Sequence, residues 1–273
     1  MKRSFWSLIA VQVQVLLNDN AAKLMLITLG AAVASELLPP NLFLHHPEYA
    51  QIIAKQTKTI LAAIIILPFI LFAPMAGWIS DRFSKRNVII TSLWAQFGIM
   101  GMIGTALAFH NLTLSIFGLF LLGVQCAFFS PAKQGIIKEI VTATKISSAI
   151  GVVEVTAIAS MLVGGLAGGA LYDLCLSTLA NPWHAAVATM AVLTVLALLS
   201  LIAGHQIQPT PAHTNQPFRA SLLWEHFGQL CDVWREQPIR LCVFGISYFY
   251  GLAGALYLTL FEVSDSLHAN QVG

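Results

Sequence analysis

Gly77–Arg86 reads GWISDRFSKR, ten residues carrying Asp81, Arg82, Lys85 and Arg86 between two long apolar runs. Upstream, Ile60–Ile79 is almost unbroken hydrocarbon, and downstream Val88–Phe109 repeats the pattern. A connection this short is expected to make the two runs antiparallel neighbours. Its cluster of Arg82, Lys85 and Arg86 marks the side of a membrane on which the turn lies, because basic residues are retained on the cytoplasmic face. With that loop placed, every other segment acquires a direction.

Composition agrees with a membrane setting. Of 273 residues, 57% are hydrophobic and only 10% charged, against about 25% charged in soluble domains. The net charge of +2 gives no reason to expect a nucleic-acid partner. Cys126, Cys175, Cys231 and Cys242 form no CxxC pair and have no His at ligand spacing. They read as small apolar residues rather than metal ligands, and no cofactor is implied. Met1, Lys2 and Arg3 precede an apolar run too long for a cleavable leader, so this run is expected to remain as a span.

A hydrocarbon core of about 30 Å needs about 20 apolar residues per helix. Seven segments qualify: Ser7–Ala34, Ile60–Ile79, Val88–Phe109, Leu112–Phe129, Ala149–Tyr172, Ala185–Ala203 and Leu241–Phe261. Ala185–Ala203 is expected to face lipid over much of its surface. With the amino terminus inside, the inner segments hold Lys2, Arg3, Arg82, Lys85, Arg86, Lys133, Lys138, Lys145, Arg219, Arg235 and Arg240, eleven in all. The outer segments hold two, Lys55 and Lys58. That asymmetry predicts a cytoplasmic amino terminus. The outer connection, Ser35–Thr59, with Pro39, Pro40, His45, His46 and Glu48, reads as a solvated loop.

The expected organisation is a six-span bundle over 1–203, a cytoplasmic linker over 204–238, and a seventh span opening a second half over 239–273. Within the linker, HQIQPTPAHTNQP is proline-rich and flexible. The part that follows places Phe218, Leu222, Leu223, Phe227, Leu230, Val233 and Trp234 near one face of an amphipathic interfacial helix. The fold class is therefore an all-α membrane protein of six helices plus a seventh, read as truncated after Gly273.

Ionisable groups inside a span cost about 2.5–3.5 kcal/mol at mid-helix on insertion scales, so each one needs a reason. The first span has the most: Asn18, Asp19 and Asn20 near its middle, flanked by Gln12, Gln14 and Lys23. Gln12, Asp19 and Lys23, separated by seven and four, share one helical face. A self-neutralised Asp19–Lys23 pair explains two of these residues but not three consecutive polar ones. A midplane substrate or coupling-ion site explains the set, and Gln12, Asp19 and Asn20 are its candidates. Glu154 in the fifth span reads equally as a proton or headgroup partner and as a partner of Lys133 or Lys145. The glycines that follow it, Gly164, Gly165, Gly168 and Gly169, carry overlapping GxxxG spacings that admit a close helix neighbour. In FSPAKQGIIKE, Phe129–Glu139, Pro131 and Gly135 are expected to break the fourth helix where Lys133 and Lys138 emerge; lysines here can meet lipid phosphate, but from physics alone they read first as ordinary positive-inside lysines. Arg82, Lys85 and Arg86 can pair with Asp81 or with lipid phosphate, or form a well-solvated charged turn. No P-loop, HExxH or GxSxG motif occurs, nor a His followed five positions later by Asp, so an enzyme is the weaker class.

Gly77, Asp81, Arg82, Lys85 and Arg86 resemble the loop between spans two and three of the major facilitator superfamily, with Ser84 in place of the usual Gly. Six spans and a long inner linker fit the same family, and the span-five glycines resemble its glycine-rich motif. The Arg common in the family's span four is replaced here by Leu119. Asp19-Asn20-Ala21, Ser130–Ile136, and Glu154 with Ala167–Gly169 are similar in type and order to bacterial lysophospholipid transporters. That resemblance implies an inner-membrane carrier of lysophosphatidylethanolamine-like lipids working by alternating access, in some cases fused to an acyltransferase and an acyl-carrier synthetase. It also implies that Asp19 attracts a headgroup amine or a coupling cation and that Lys133 makes a cytoplasmic-side contact. Tyr257 stands where such transporters carry an Arg suited to the phosphate, so the substrate stays open. Two alternatives remain beside this reading. One is a cation-coupled carrier of another small amphiphile, and the other is a non-transporting scaffold for a lipid-acylating partner.

Overall fold

The computed structural model describes residues 3–37, 47–211, 228, 234–252 and 255. It divides into two compact units, Met1–Pro217 and Phe218–Gly273. Among the described residues of the first unit there are six long helices: α1 Arg3–Leu37, α2 Pro47–Arg82, α3 Lys85–Ala108, α4 Leu112–Ile140, α5 Ile146–Leu179 and α6 Pro182–His205. A single 3-10 turn, Ala143–Lys145, leads into α5. The second unit contains a helix over 237–252, α7. Four of the described helical segments are long and apolar enough to cross a membrane: α3, α4, α5 with its 3-10 turn, and α6.

Local chemistry sets several helix ends. Asn111 caps α4 by accepting a hydrogen bond from the Leu114 amide at 2.9 Å. Asn181 caps α6, accepting from Trp183 and His184 at 2.9 and 3.1 Å, with Pro182 in the first turn where no amide hydrogen is needed. α5 stops at Ala180, whose φ of 53° is left-handed and whose amide reaches the Leu176 carbonyl.

α1 is the hub of the bundle, packing against α5 and α6 over much of its length and against α2 and α4 over shorter stretches. α4 lies between α2 and α3, and α3 lies between α4 and α6. One face of α6 buries Met190, Leu193, Ala197 and Leu201, while Val192, Val195, Leu199 and Ile202 face outward. The apolar interior forms two clusters stacked along the bundle axis. One holds Met25, Leu29, Met100, Leu119 and Leu122, and the other holds Phe5, Val15, Leu93, Phe129 and Leu201.

Three expectations need correction. α2 and α3 run in opposite directions from their short turn but scarcely touch, because each packs instead on α4. The turn fixes the direction of the chain, whereas burial of apolar area chooses the neighbour. The stretch from residue 47 to 59 is helix, continuous with α2, rather than loop. Pro47 takes a first-turn position and the following residues are good helix formers, so the helix extends past the apolar window. His45, His46, Pro39 and Pro40 lie outside the described residues. Finally, α4 does not break at Pro131. It continues to Ile140 with Pro131 inside it, and Ala132, Ile136 and Ile137 are buried in the core. One lost backbone rung is outweighed there by packing. Most of the expected amphipathic linker helix, and Tyr257, also lie outside the described residues.

Candidate functional site

The interval between the two apolar clusters is polar on several helices at once. On α1 it holds Asn18 and Asp19, on α3 Gln96, and on α4 Gln125 and Cys126. These side chains would each be expensive against hydrocarbon, and the bundle gathers them at one level.

Asp19 is the centre of this belt. Its Oδ1 accepts a hydrogen bond from Gln96 Nε2 at 2.8 Å, and its Oδ2 accepts one from the Cys126 thiol at 2.8 Å. Gln96 also donates to the Val15 carbonyl at 3.3 Å, which fixes its amide against α1. The carboxylate is thus held by groups from α3 and α4. Asp19 remains only partly buried, unlike its neighbour Asn18.

Three other polar residues of α1 behave differently. Asn18 is fully buried and donates to the Leu193 carbonyl of α6 at 2.8 Å and to Met100 Sδ at 3.5 Å. Gln12, also fully buried, donates to the Val153 carbonyl and to Thr156 Oγ1 of α5 at 2.7 and 3.1 Å. Asn20 turns back on its own helix, to the Leu16 carbonyl at 2.8 Å. Gln12 and Asn18 are therefore clamps between helices, and Asp19 is the half-buried residue of this set.

Lys133 and Glu154 complete the arrangement. α4 and α5 both pack on α1 yet hardly meet each other. Lys133 of α4 feels the charge of Glu154 of α5 and of Cys126, which in turn feels Asp19. Lys133 is 9% exposed, so it lies inward rather than emerging as an ordinary positive-inside lysine. Asp19, Cys126, Lys133 and Glu154 thus form a connected electrostatic series running from the midplane toward the basic end.

Gly164 and Gly168 bring α5 against the backbone of α1. A Cβ at Gly164 would lie 2.5 Å from the Leu17 carbonyl oxygen, and one at Gly168 would collide with Ala21 Cα. Gly169 approaches Leu24, and Gly165 is buried in the same helix. So close a crossing of α1 and α5 can exist only with small residues at these positions.

The charged loop Gly77–Arg86 turns mostly inward. Lys85 Nζ pairs with Glu139 of α4 at 2.7 Å, in space that a side chain at Gly135 would fill. Arg86 donates through Nε to the Ile207 carbonyl at 2.6 Å and through Nη2 to the His205 carbonyl at 3.2 Å, closing the end of α6. Arg82 lies over the Trp78 ring at 5.1 Å, and Asp81 is exposed. The space beside Gly77 is open, with nothing within 4 Å of where a Cβ would stand. Intraprotein contacts therefore take up Lys85 and Arg86, in place of Asp81, lipid phosphate or solvent. No group of three metal-ligating side chains occurs among the described residues.

The family model of the Major Facilitator Superfamily matches residues 23–272. The chain belongs to the major facilitator superfamily. Proteins called lysophospholipid transporter LplT, from Salmonella newport strain SL254 and Salmonella typhimurium strain LT2, are each 30% identical to it over 214 residues. The match covers 77% of this chain and 49% of each relative, so the chain spans about half the length of these relatives. As a member of this superfamily it is a multi-pass membrane protein. Gln96 and Cys126 were not singled out from the sequence. Gln96 could have been found by the argument that found Asp19, since it too is polar in the middle of a span. Cys126 could not, because a thiol in an apolar run gives no sign of the carboxylate it faces.

Proposed function

We propose that this chain forms the amino-terminal bundle of a carrier that moves a lysophospholipid, of the lysophosphatidylethanolamine type, across the bacterial inner membrane by alternating access. The observation that carries the reading is the placement of Asp19. A carboxylate on a half-buried residue is held between two apolar clusters by Gln96 and Cys126, with Lys133 and Glu154 farther toward the basic end. A zwitterionic lysolipid offers a cation and an anion in that order. Asp19 receives the ammonium group, or a coupling cation that travels with it, and Lys133 receives the phosphate. The names of the relatives support the substrate class. The basic end is taken as cytoplasmic, which puts the amino terminus inside. An acyltransferase or acyl-carrier synthetase is the natural consumer of a lysolipid delivered there, and so a candidate partner.

The test is uptake of labelled lysophosphatidylethanolamine into spheroplasts carrying the whole transporter. Asp19→Asn keeps the shape and both neighbours but removes the charge, and is expected to reduce uptake at least tenfold while membrane abundance stays constant. Lys133→Gln is expected to raise the half-saturating lysolipid concentration. Full uptake by Asp19→Asn refutes the assignment. Competition by unrelated cationic amphiphiles, with no competition by lysolipid, favours a cation-coupled carrier of another solute.

A further inference from the structure

α3 and α4 run antiparallel along a shared seam, and two contacts fix its register. Gly118 of α4 lies against the Ile103 side chain with no room for a Cβ, and nearer the basic end the Lys85 side chain fills the space beside Gly135. Gln96 stands about two turns before Ile103, and Gln125 about two turns after Gly118, each on the same stripe of its helix. The two amides therefore face each other at one level of the seam.

Their hydrogen bonding is lopsided. Gln96 turns Nε2 toward α1, to Asp19 Oδ1 at 2.8 Å and to the Val15 carbonyl at 3.3 Å, which uses both of its amide hydrogens. Its Oε1 has no partner among the described residues, and neither do Nε2 and Oε1 of Gln125. Both side chains are buried, at 0% and 4% exposure. Three unsatisfied amide atoms at one level of a span are a cost without return if the seam has a single arrangement. Beside Gln125, a space of about 520 Å³ between α2 and α3 lets its amide turn without displacing packed carbon.

Bond strength decides which partner Gln96 takes. A hydrogen bond to an ionised carboxylate is roughly twice as strong as one between neutral groups. The single bond to Asp19 is thus matched by the two bonds of a reciprocal Gln96–Gln125 pair. A cation on Asp19 tips the balance, because it takes up the charge that made the Asp19 bond the stronger one. We infer that Gln96 exchanges partners, holding Asp19 while the carboxylate has no cation and pairing with Gln125 when a cation is bound there. In the pair, Nε2 of each glutamine donates to Oε1 of the other, and Asp19 keeps the Cys126 thiol. Gln125 is then a positioning residue that acts through Gln96 without touching the substrate. The exchange unties α3 from α1 and ties it to α4, so occupancy of the site becomes a change in helix pairing. It rests on the reading of Asp19 as the cation receptor.

The experiment unfolds the whole transporter in mixed micelles with increasing dodecyl sulfate, without lysolipid, and builds a double-mutant cycle from Gln96→Leu and Gln125→Leu. With Asp19 in place the two changes are expected to be additive. In an Asp19→Leu background, where nothing on that side chain accepts, Gln96 is released. A coupling of about fivefold in the unfolding constant is then expected, the size of one net hydrogen bond. Additivity in that background, or the same coupling with Asp19 present, overturns the inference. A second measurement leaves Asp19 unaltered and decides alone if Asp19→Leu fails to assemble. Gln125→Leu is expected to keep or raise the melting temperature of the lysolipid-free chain, because an unsatisfied amide gives way to an apolar group of similar size. It is also expected to weaken binding of lysophosphatidylethanolamine about fivefold. A lowered melting temperature means that Gln125 is merely structural, and unchanged binding means that it is idle; either overturns the inference. Lysolipid binding that ignores Asp19→Asn refutes the reading of Asp19 instead, and the Asp19→Leu cycle, which uses no lysolipid, still decides the exchange.

Discussion

Lys85 shows how a residue's meaning depends on what surrounds it. Alone it is one of three loop cations, yet its ammonium group is 7% exposed and pairs with Glu139 at 15%. Removing one member of such a pair leaves the other charge in poor surroundings, at a cost of about 3 kcal/mol. Lys85→Ala is therefore expected to lower the melting temperature clearly in detergent. Replacing both, Lys85→Met with Glu139→Leu, is expected to recover most of the loss, because the desolvation cost disappears along with the attraction. A double-mutant cycle on thermal unfolding measures this. A result in which both single variants are neutral would mean that the pair is solvent-screened. Gln96 can be tested in the same spirit. Gln96→Leu removes one donor to Asp19 and the tie to the Val15 carbonyl. It is expected to impair lysolipid binding more than it impairs folding, and Gln96→Asn, which is shorter by one methylene, to restore little. Equilibrium binding beside a melting curve separates the two effects.

At the scale of the helix, the crossing of α1 and α5 is decided by two missing side chains. A Cβ at Gly164 or Gly168 runs into the α1 backbone, which cannot move aside as a flexible side chain could. Gly168→Val is expected to yield little monodisperse protein on gel filtration. Gly151→Ala, on the same helix with nothing within 4 Å of the new carbon, is expected to be tolerated. The end of α5 offers the opposite experiment. Ala180 holds a left-handed conformation at φ 53°, which glycine adopts without strain. Ala180→Gly is expected to raise stability by up to about 1 kcal/mol in a thermal unfolding measurement.

Over the whole bundle, the basic groups collect at one end and tie its parts together. Arg3 donates to Gln206, the Gln208 amide donates to Ser4, and Arg86 holds the His205 and Ile207 carbonyls. The start of α1, the start of α3 and the segment after α6 therefore form one joint, the place where a rocking bundle would have to transmit its motion. Arg86→Gln is expected to increase hydrogen exchange over 204–211 without changing exchange in the middle of α3. Orientation can be checked with single cysteines in a cysteine-free background. A cysteine replacing His110 should react with an impermeant thiol reagent in intact cells, and one replacing Asp81 only after permeabilisation.

Much of this molecule was legible in one dimension. Chain-long hydrophobicity dictates helices that satisfy their own backbone in lipid, and the loop cations give them a sense. The cost of a mid-span carboxylate singled out Asp19 before any neighbour was known. Residue order could not disclose the partners, because contact in a bundle depends on which faces meet rather than on which helices are joined. So α2 and α3 follow one another yet are held apart by α4, and Pro131 passes through a helix that packing keeps whole. Gln12 and Asn18 became clamps while Asp19 gathered donors from α3 and α4. Their composition alone is similar; it is the helix opposite each one, supplying a carbonyl or a pair of donors, that tells them apart.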